Sequence, residues 1–262
     1  MKKDRYLKHL PTGNIQATAL FIDVRNFLGI SEILDPKQTS EFIMKVLRPL
    51  SHCIKEHKGY VCQIQGDAIL AVFTTTGDGL HHAKNAVMCA LNMQKILSDL
   101  NPVIIDTTRI PLSAGIGISS GSMYSCSLNI SNKKDYTVIG KTVNLASRLQ
   151  QLNRDYNTNI LIDENVFAYI KDAIYTRKLE RFEIKGSKEK IQVYEVLCAQ
   201  VKKRNSNKRI LANYRQGLTH CLRENWKEAI RCFLRIKEDE NGYHMIERCK
   251  ELNNFQDQLK KT

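Results

Sequence analysis

Three groups of residues in this chain have types and spacings that could handle a phosphorylated substrate. Asp23 closes the apolar run "IQATALFIDV" (15–24), just before an expected helix. Asp67 lies in "YVCQIQGDAILAVF" (60–73), where Gly66-Asp67 reads as the tight turn of a strand pair. If those strands are neighbours, both carboxylates reach one edge of a sheet. Such a pair is a natural site for two Mg²⁺ ions, which take oxygen ligands from one or two carboxylates and from substrate phosphates. Asp is also an ordinary turn residue, and spacing alone does not separate the two readings. The third group lies in "DYTVIGKTVNLASRLQ" (135–150). Its Gly140-Lys141-Thr142 matches the end of a P-loop, but a P-loop needs another glycine five residues earlier, where this chain has Asp135. The residues between, Tyr136 to Ile139, read as strand, so the P-loop is excluded. A helix starting near Lys141 puts Asn144 and Arg148 on one face. An amide beside a guanidinium can hold a ribose oxygen and a charged phosphoryl group; a solvated arginine on an amphipathic helix is the alternative.

The elements that must position these residues are legible from periodicity. The run 15–24 is a buried strand. Residues 36–57 carry Phe42, Val46, Leu50 and Ile54 at helical spacing, with Pro36 at the start and Gly59 beyond the end. The strand pair around Gly66 follows, then a helix over 79–100 with Ala83, Ala86, Val87, Ala90 and Met93 on its buried side. "PLSAGIGISSGSMYS" and "DYTVIG" form a glycine-interrupted strand pair, "KTVNLASRLQQLN" a helix, and "NILID" a strand followed by a short helix. "YTRKLERFEIKG" and "KIQVYEVLC" make a last strand pair. Strand, helix, strand, strand, helix, strand is the order of an α+β, ferredoxin-like (palm-like) sandwich.

Composition bounds the rest. The chain has 262 residues, 42% hydrophobic and 26% charged, with a net charge of +13, as expected of a globular chain of one large domain with an appendage. No run approaches the length of a membrane span. "MKKDRYLKHLPTGN" has charge without a following apolar stretch, so it reads as no signal peptide, and a cytoplasmic location is expected. The positive charge suits a polyphosphate substrate; the basic run "VKKRNSNKR" (201–209) reads as a solvated linker, and no nucleic-acid partner is expected. The eight cysteines form no CxxC, and Cys53 with His52 and His57 reads as packing and surface rather than as a ligand set. Four segments result: an extension (1–14), a main domain (15–199), a basic linker (200–210) and a helical tail (211–262). The tail reads as one tetratricopeptide-like helical pair, broken near Glu224-Asn225. It is either a cap on the main domain or a docking element for a protein partner.

"FIDVRNF", "IQGDAILAVF" and "DYTVIGKTVNLASRL", in this order and at these separations, resemble the catalytic domain of class III adenylyl and guanylyl cyclases. The resemblance runs from about residue 15 to 198. It implies that Asp23 and Asp67, with the carbonyl of Val24, bind two divalent cations, Mg²⁺ or Mn²⁺. It implies that the backbone of Val24, Arg25, Asn26 and Phe27 cradles the β- and γ-phosphates, that Asn144 positions the ribose, and that Arg148 stabilises charge on the α-phosphoryl group. Lys185 is implied to neutralise the triphosphate tail. Family sites form between two catalytic domains, and since this chain has both halves, a symmetric homodimer is implied.

By the same resemblance Gln63 and Thr137 read the purine. The adenylyl pattern has Lys at the first position; the guanylyl pattern has Glu there and Cys at the second. Gln and Thr can each donate or accept, so the pair forces no choice. The absence of Glu and Cys favours ATP, with GTP as the alternative. Asn26 and Leu28 stand where the family usually has Gly and Thr. Asn26 must therefore tolerate the backbone shape that glycine supplies. A catalytically silent dimerisation or regulatory module is a further alternative, and a nucleic-acid-binding protein would explain the +13 charge but not the acidic pair.

Overall fold

The structure is a computed structural model. It describes residues 10–75, 81–130, 133–183 and 190–198; beyond these it describes 225–236 and short pieces between 209 and 250. In chain order the elements are β1 (Gly13–Val24), α1 (Phe27–Ile33), α2 (Pro36–Glu56), β2 (Gly59–Gln65), β3 (Ala68–Thr74), α3 (His82–Leu100), β4 (Val103–Ile105) and β5 (Thr108–Ile110). Then come β6 (Ala114–Ile130), β7 (Lys133–Ile139), α4 (Lys141–Asp155), β8 (Ile160–Asp163), α5 (Glu164–Ile170), β9 (Tyr175–Glu183), β10 (Lys190–Cys198) and α6 (Trp226–Leu234).

The main sheet runs β2-β3-β1-β6-β8-β10-β9, with β7 paired to the far end of β6. Its first four strands are antiparallel neighbours. With α2 and α3 as the two crossovers, they form the ferredoxin-like core expected from the element order. The small β4–β5 ribbon was not legible in the sequence, being too short for periodicity to show.

Helix α2 begins where its local chemistry directs. The Asp35 side chain accepts from the Gln38 N–H at 2.8 Å, Gln38 Oε1 accepts from the Asp35 N–H at 3.1 Å, and Pro36 occupies the first turn. Its Phe42, Val46, Leu50 and Ile54 are fully buried.

Strand alternation sorts β1 between two layers. Leu20, Ile22 and Val24 lie under α2, α3 and α5. Ala17 and Ala19 face the opposite side, where they pack with Val143 and Ala146 of α4. Helix α4 lies almost on the backbone of β6. A Cβ added at Gly117 would come 2.2 Å from the Ala146 carbonyl oxygen and from the Gln150 nitrogen. Gly115 and Gly121, on the same face of the strand, also meet α4. The far end of α4 is fastened by buried Asn153. Its Nδ2 donates to the Ile116 carbonyl at 2.9 Å, and its Oδ1 accepts from Thr158 Oγ1 at 2.9 Å. Neither device is evident from the sequence, although "AGIGISSG" repeats small residues at strand spacing.

The described tail residues join a second core. Tyr214, Ala229 and Phe233 pack there with Leu149 and Tyr156 of α4 and with Leu179 of β9. The Tyr214 ring also lies 4.6 Å from the Arg177 guanidinium, which is paired with Glu195 inside the β9–β10 hairpin.

Candidate active site

Asp23 is the next-to-last residue of β1, opposite Gly115 of β6. Asp67 occupies the β2–β3 turn, next to Gly66 at φ 59°. Because β1 and β3 are paired, the end of one strand and the start of the other meet at one sheet edge. The two carboxyl groups are in hydrogen-bond contact there, and the Asp67 carboxylate also accepts from its own N–H and from that of Val24. Burial first, then contact with Asp23 and its negative charge, push the Asp67 carboxyl up from 3.8 to about 7. Two adjoining carboxylates repel each other when both are ionised. A hard divalent cation offsets that repulsion, so the donor set fits the cations expected from the sequence.

This arrangement fixes a pH dependence in the metal-free protein. Between roughly pH 4 and 7 the folded chain keeps a proton on Asp67 that the unfolded chain has lost, so stability falls as pH rises through that window. The melting temperature in chelator is expected to decline over this range, with a shallower decline in Asp67→Asn. Mn²⁺ titrated at about pH 6.5 is expected to release a proton, read by calorimetry in two buffers of different ionisation enthalpy.

The phosphate cradle expected from Val24 to Phe27 is narrower than four N–H groups in this conformation. The Val24 N–H serves Asp67, and the Arg25 N–H donates to the Ser113 carbonyl at 2.9 Å. The Arg25 guanidinium turns to the Thr158 carbonyl. Asn26 and Phe27 stand at the start of α1, and Phe27 stacks on Phe42 of α2 at 6.4 Å.

Asn144 and Arg148 are both exposed, one turn apart on α4. The helix is entered through Gly140 at φ 151°, and the Asn144 N–H bonds the Gly140 carbonyl at 3.1 Å. Alternation along β1 puts Asp23 on the sheet face that α4 covers, the face of Ala17 and Ala19. Gln63 is exposed on β2, opposite Leu70 and beside a bulge. Thr137 is half-buried on β7, opposite Cys126. Contacts between β2 and β7 bring the strands of these two residues together. Lys185 lies outside the described residues.

A family model described as the adenylate and guanylate cyclase catalytic domain matches residues 11–197. The chain belongs to that family. Adenylate cyclase 1 of Rhizobium meliloti is 30% identical over 182 residues, 70% of this chain and 27% of its own length. An adenylate cyclase of Anabaena cylindrica is 33% identical over 186 residues, 68% of this chain and 36% of its own length. The chain thus spans roughly a quarter to a third of the length of these two relatives. Among solved structures, the adenylyl cyclase CyaB from P. aeruginosa superposes with a TM-score of 0.64 at 27% identity, covering 73% of this chain and 98% of that one. The guanylyl cyclase Cya2 superposes with a TM-score of 0.63 at 26% identity, covering 73% and 96%.

In this cyclase-family chain Asn26 adopts φ 55° and ψ 32°, the left-handed conformation expected of a residue replacing glycine. Asn is among the few residues that accept it. Its side chain folds over Gly29, where an added Cβ would lie 2.9 Å from the amide. Asn26→Gly is expected to leave the melting temperature nearly unchanged. Asn26→Val should cost about 1–2 kcal/mol, read by denaturant unfolding.

Proposed function

We propose that this domain converts ATP to 3′,5′-cyclic AMP and pyrophosphate at a site shared by two copies of the chain. The observation that carries the reading is the contact of Asp23 with Asp67 at the sheet edge, where a divalent cation would offset the repulsion between the two carboxylates. Asp23, Asp67 and the Val24 carbonyl would hold Mg²⁺ or Mn²⁺. Bound there, divalent cations neutralise the triphosphate and acidify the ribose 3′-hydroxyl. The 3′-oxygen attacks the α-phosphorus, and the bond to the bridging oxygen of pyrophosphate breaks. Asn144 holds the ribose, and Arg148 offsets charge on the α-phosphoryl oxygens as it grows. Lys185 is proposed to steady the leaving pyrophosphate.

Homodimerisation is supported by apolar side chains left exposed: Leu28, Ile64, Tyr124 and Ile139. Gln63 and Thr137 are proposed to face the purine. Their amide and hydroxyl accept either hydrogen-bond polarity, so GTP is the second substrate to test. A silent dimerisation module is the other reading, and the aspartate pair argues against it. The tail is proposed as a cap, because its described apolar residues pack on the catalytic domain rather than presenting a free docking face. No described helix is long and apolar enough to cross a membrane; a cytoplasmic location is proposed.

Incubation with Mn²⁺ and either ATP or GTP, followed by chromatography of the products, tests the proposal. Cyclic AMP from ATP is the expected result. Cyclic GMP alone transfers the assignment to GTP. No cyclic nucleotide from either, in protein that still dimerises, establishes the silent module.

A further inference from the structure

A second cluster of ligating atoms lies away from the aspartate pair, between α2 and α3. Cys53 and His57 are four apart near the end of α2 and therefore share a face. Cys89 of α3 meets them. Cys53 Sγ lies 3.8 Å from Cys89 Sγ and 3.7 Å from His57 Nδ1, and all three ligand atoms fall within 4.8 Å of one another. His52, which the sequence placed beside Cys53, instead pairs with Glu56 on the exposed side of α2.

These separations are those of a tetrahedral thiolate–imidazole site. Bonds of about 2.3 Å to sulfur and 2.0–2.1 Å to nitrogen set the two sulfurs roughly 3.8 Å apart and a sulfur and nitrogen roughly 3.5 Å apart. The surroundings favour a cation as well. The cluster sits at the C-terminal end of a 21-residue helix, whose last carbonyls carry partial negative charge. The Cys53 carbonyl already bonds His57 Nδ1 at 2.9 Å, which aims that nitrogen into the cluster. Both cysteines are buried, while His57 is half-buried, so the His57 side is where a fourth, water ligand would join.

We propose that Cys53, His57 and Cys89 form a Zn²⁺ site that clasps α2 to α3. On binding, Nδ1 exchanges its hydrogen bond to the Cys53 carbonyl for the ion, and its proton moves to Nε2. The clasp lies behind β1 and β3, the strands that carry or adjoin the aspartates, and its ligands are thiolate and imidazole where the catalytic set is all oxygen. The two sites therefore select different ions. The proposal is independent of the cyclase reading.

The test uses the reduced, metal-free 262-residue chain with Co²⁺ as the spectroscopic probe and Zn²⁺ in competition with a chromogenic chelator. The expected result is one Co²⁺ giving sulfur-to-cobalt charge transfer and tetrahedral d–d bands, displaced by one Zn²⁺. The spectrum should persist in Asp23→Ala. Zn²⁺ affinity should fall at least about 100-fold in Cys53→Ser and in Cys89→Ala, and measurably in His57→Ala. Should those cysteine variants fail to fold, alkylation of the wild type replaces them: by peptide mapping, Zn²⁺ should slow the alkylation of Cys53 and Cys89 relative to the metal-free protein, and leave that of Cys126 unchanged, whereas equal rates with and without Zn²⁺ overturn the site. Absence of thiolate charge transfer in the wild type, or unchanged affinity in the folded cysteine variants, overturns the site.

Discussion

Asp67→Ala and Arg148→Ala chains are each expected to lose at least about 10³-fold in cyclic nucleotide formation, and their equimolar mixture to regain about a quarter of the wild-type rate. The arithmetic follows from a shared site. Random exchange makes about half of the dimers hybrids, and each hybrid has one site with both defects and one with none. The two substitutions should differ in stability. Asp67→Ala removes a carboxyl held up to about 7 by burial and by its neighbour, so the metal-free melting temperature should hold or rise. Arg148 is exposed on α4, and its removal should leave folding almost unaffected. The measurement is initial rate with Mn²⁺ and ATP, after subunit exchange has been verified by mass spectrometry of tagged chains. A mixture no more active than its parts would show that each site is built within one chain.

The second large effect is expected at a residue with no chemistry of its own. Gly117→Ala forces a methyl group into atoms of the α4 backbone, 2.2 Å from Ala146 O and Gln150 N. Main chain cannot rotate away as a side-chain tip can, so α4 must lift from β6. Overpacking of this kind costs about 1–3 kcal/mol. Lifting α4 also displaces Asn144 and Arg148, and a shift of about 1 Å in positioning groups costs roughly 10²-fold in turnover. Gly121→Ala is the graded control. There the nearest atom is Thr142 Oγ1 at 2.9 Å, the end of a side chain that can turn aside. Urea unfolding and kcat measured on both variants should order them Gly117→Ala well below Gly121→Ala. Equal behaviour would mean that the close approach of α4 does not set the position of the pair.

The same contrast shows what could be read in advance. The helix over Phe42, Val46, Leu50 and Ile54 was legible because one face of it is buried at a single period. The Gly66-Asp67 turn was legible because a tight hairpin needs a residue free to adopt φ 59°. Asn26 announced its own conformation, since few residues other than glycine accept φ 55°. The narrowing of the phosphate cradle was not legible. It depends on the Ser113 carbonyl, which arrives from a loop almost ninety positions away. The sequence leaves the tail's attachment open between cap and docking element, because an apolar stripe says that a surface will be covered and not by what.

By itself, the sequence determined the order of the longer elements, the ferredoxin-like core and the positions of the residues able to do chemistry, since periodicity and turn propensity are local properties of the chain. Only the tertiary structure decided which of them meet. The contact of Asp23 with Asp67, the seating of α4 on Gly117 and the approach of Cys89 to Cys53 and His57 all join segments distant along the chain. Strand pairing and helix packing bring such groups within a few ångströms, and at that range charge, volume and ligand geometry act.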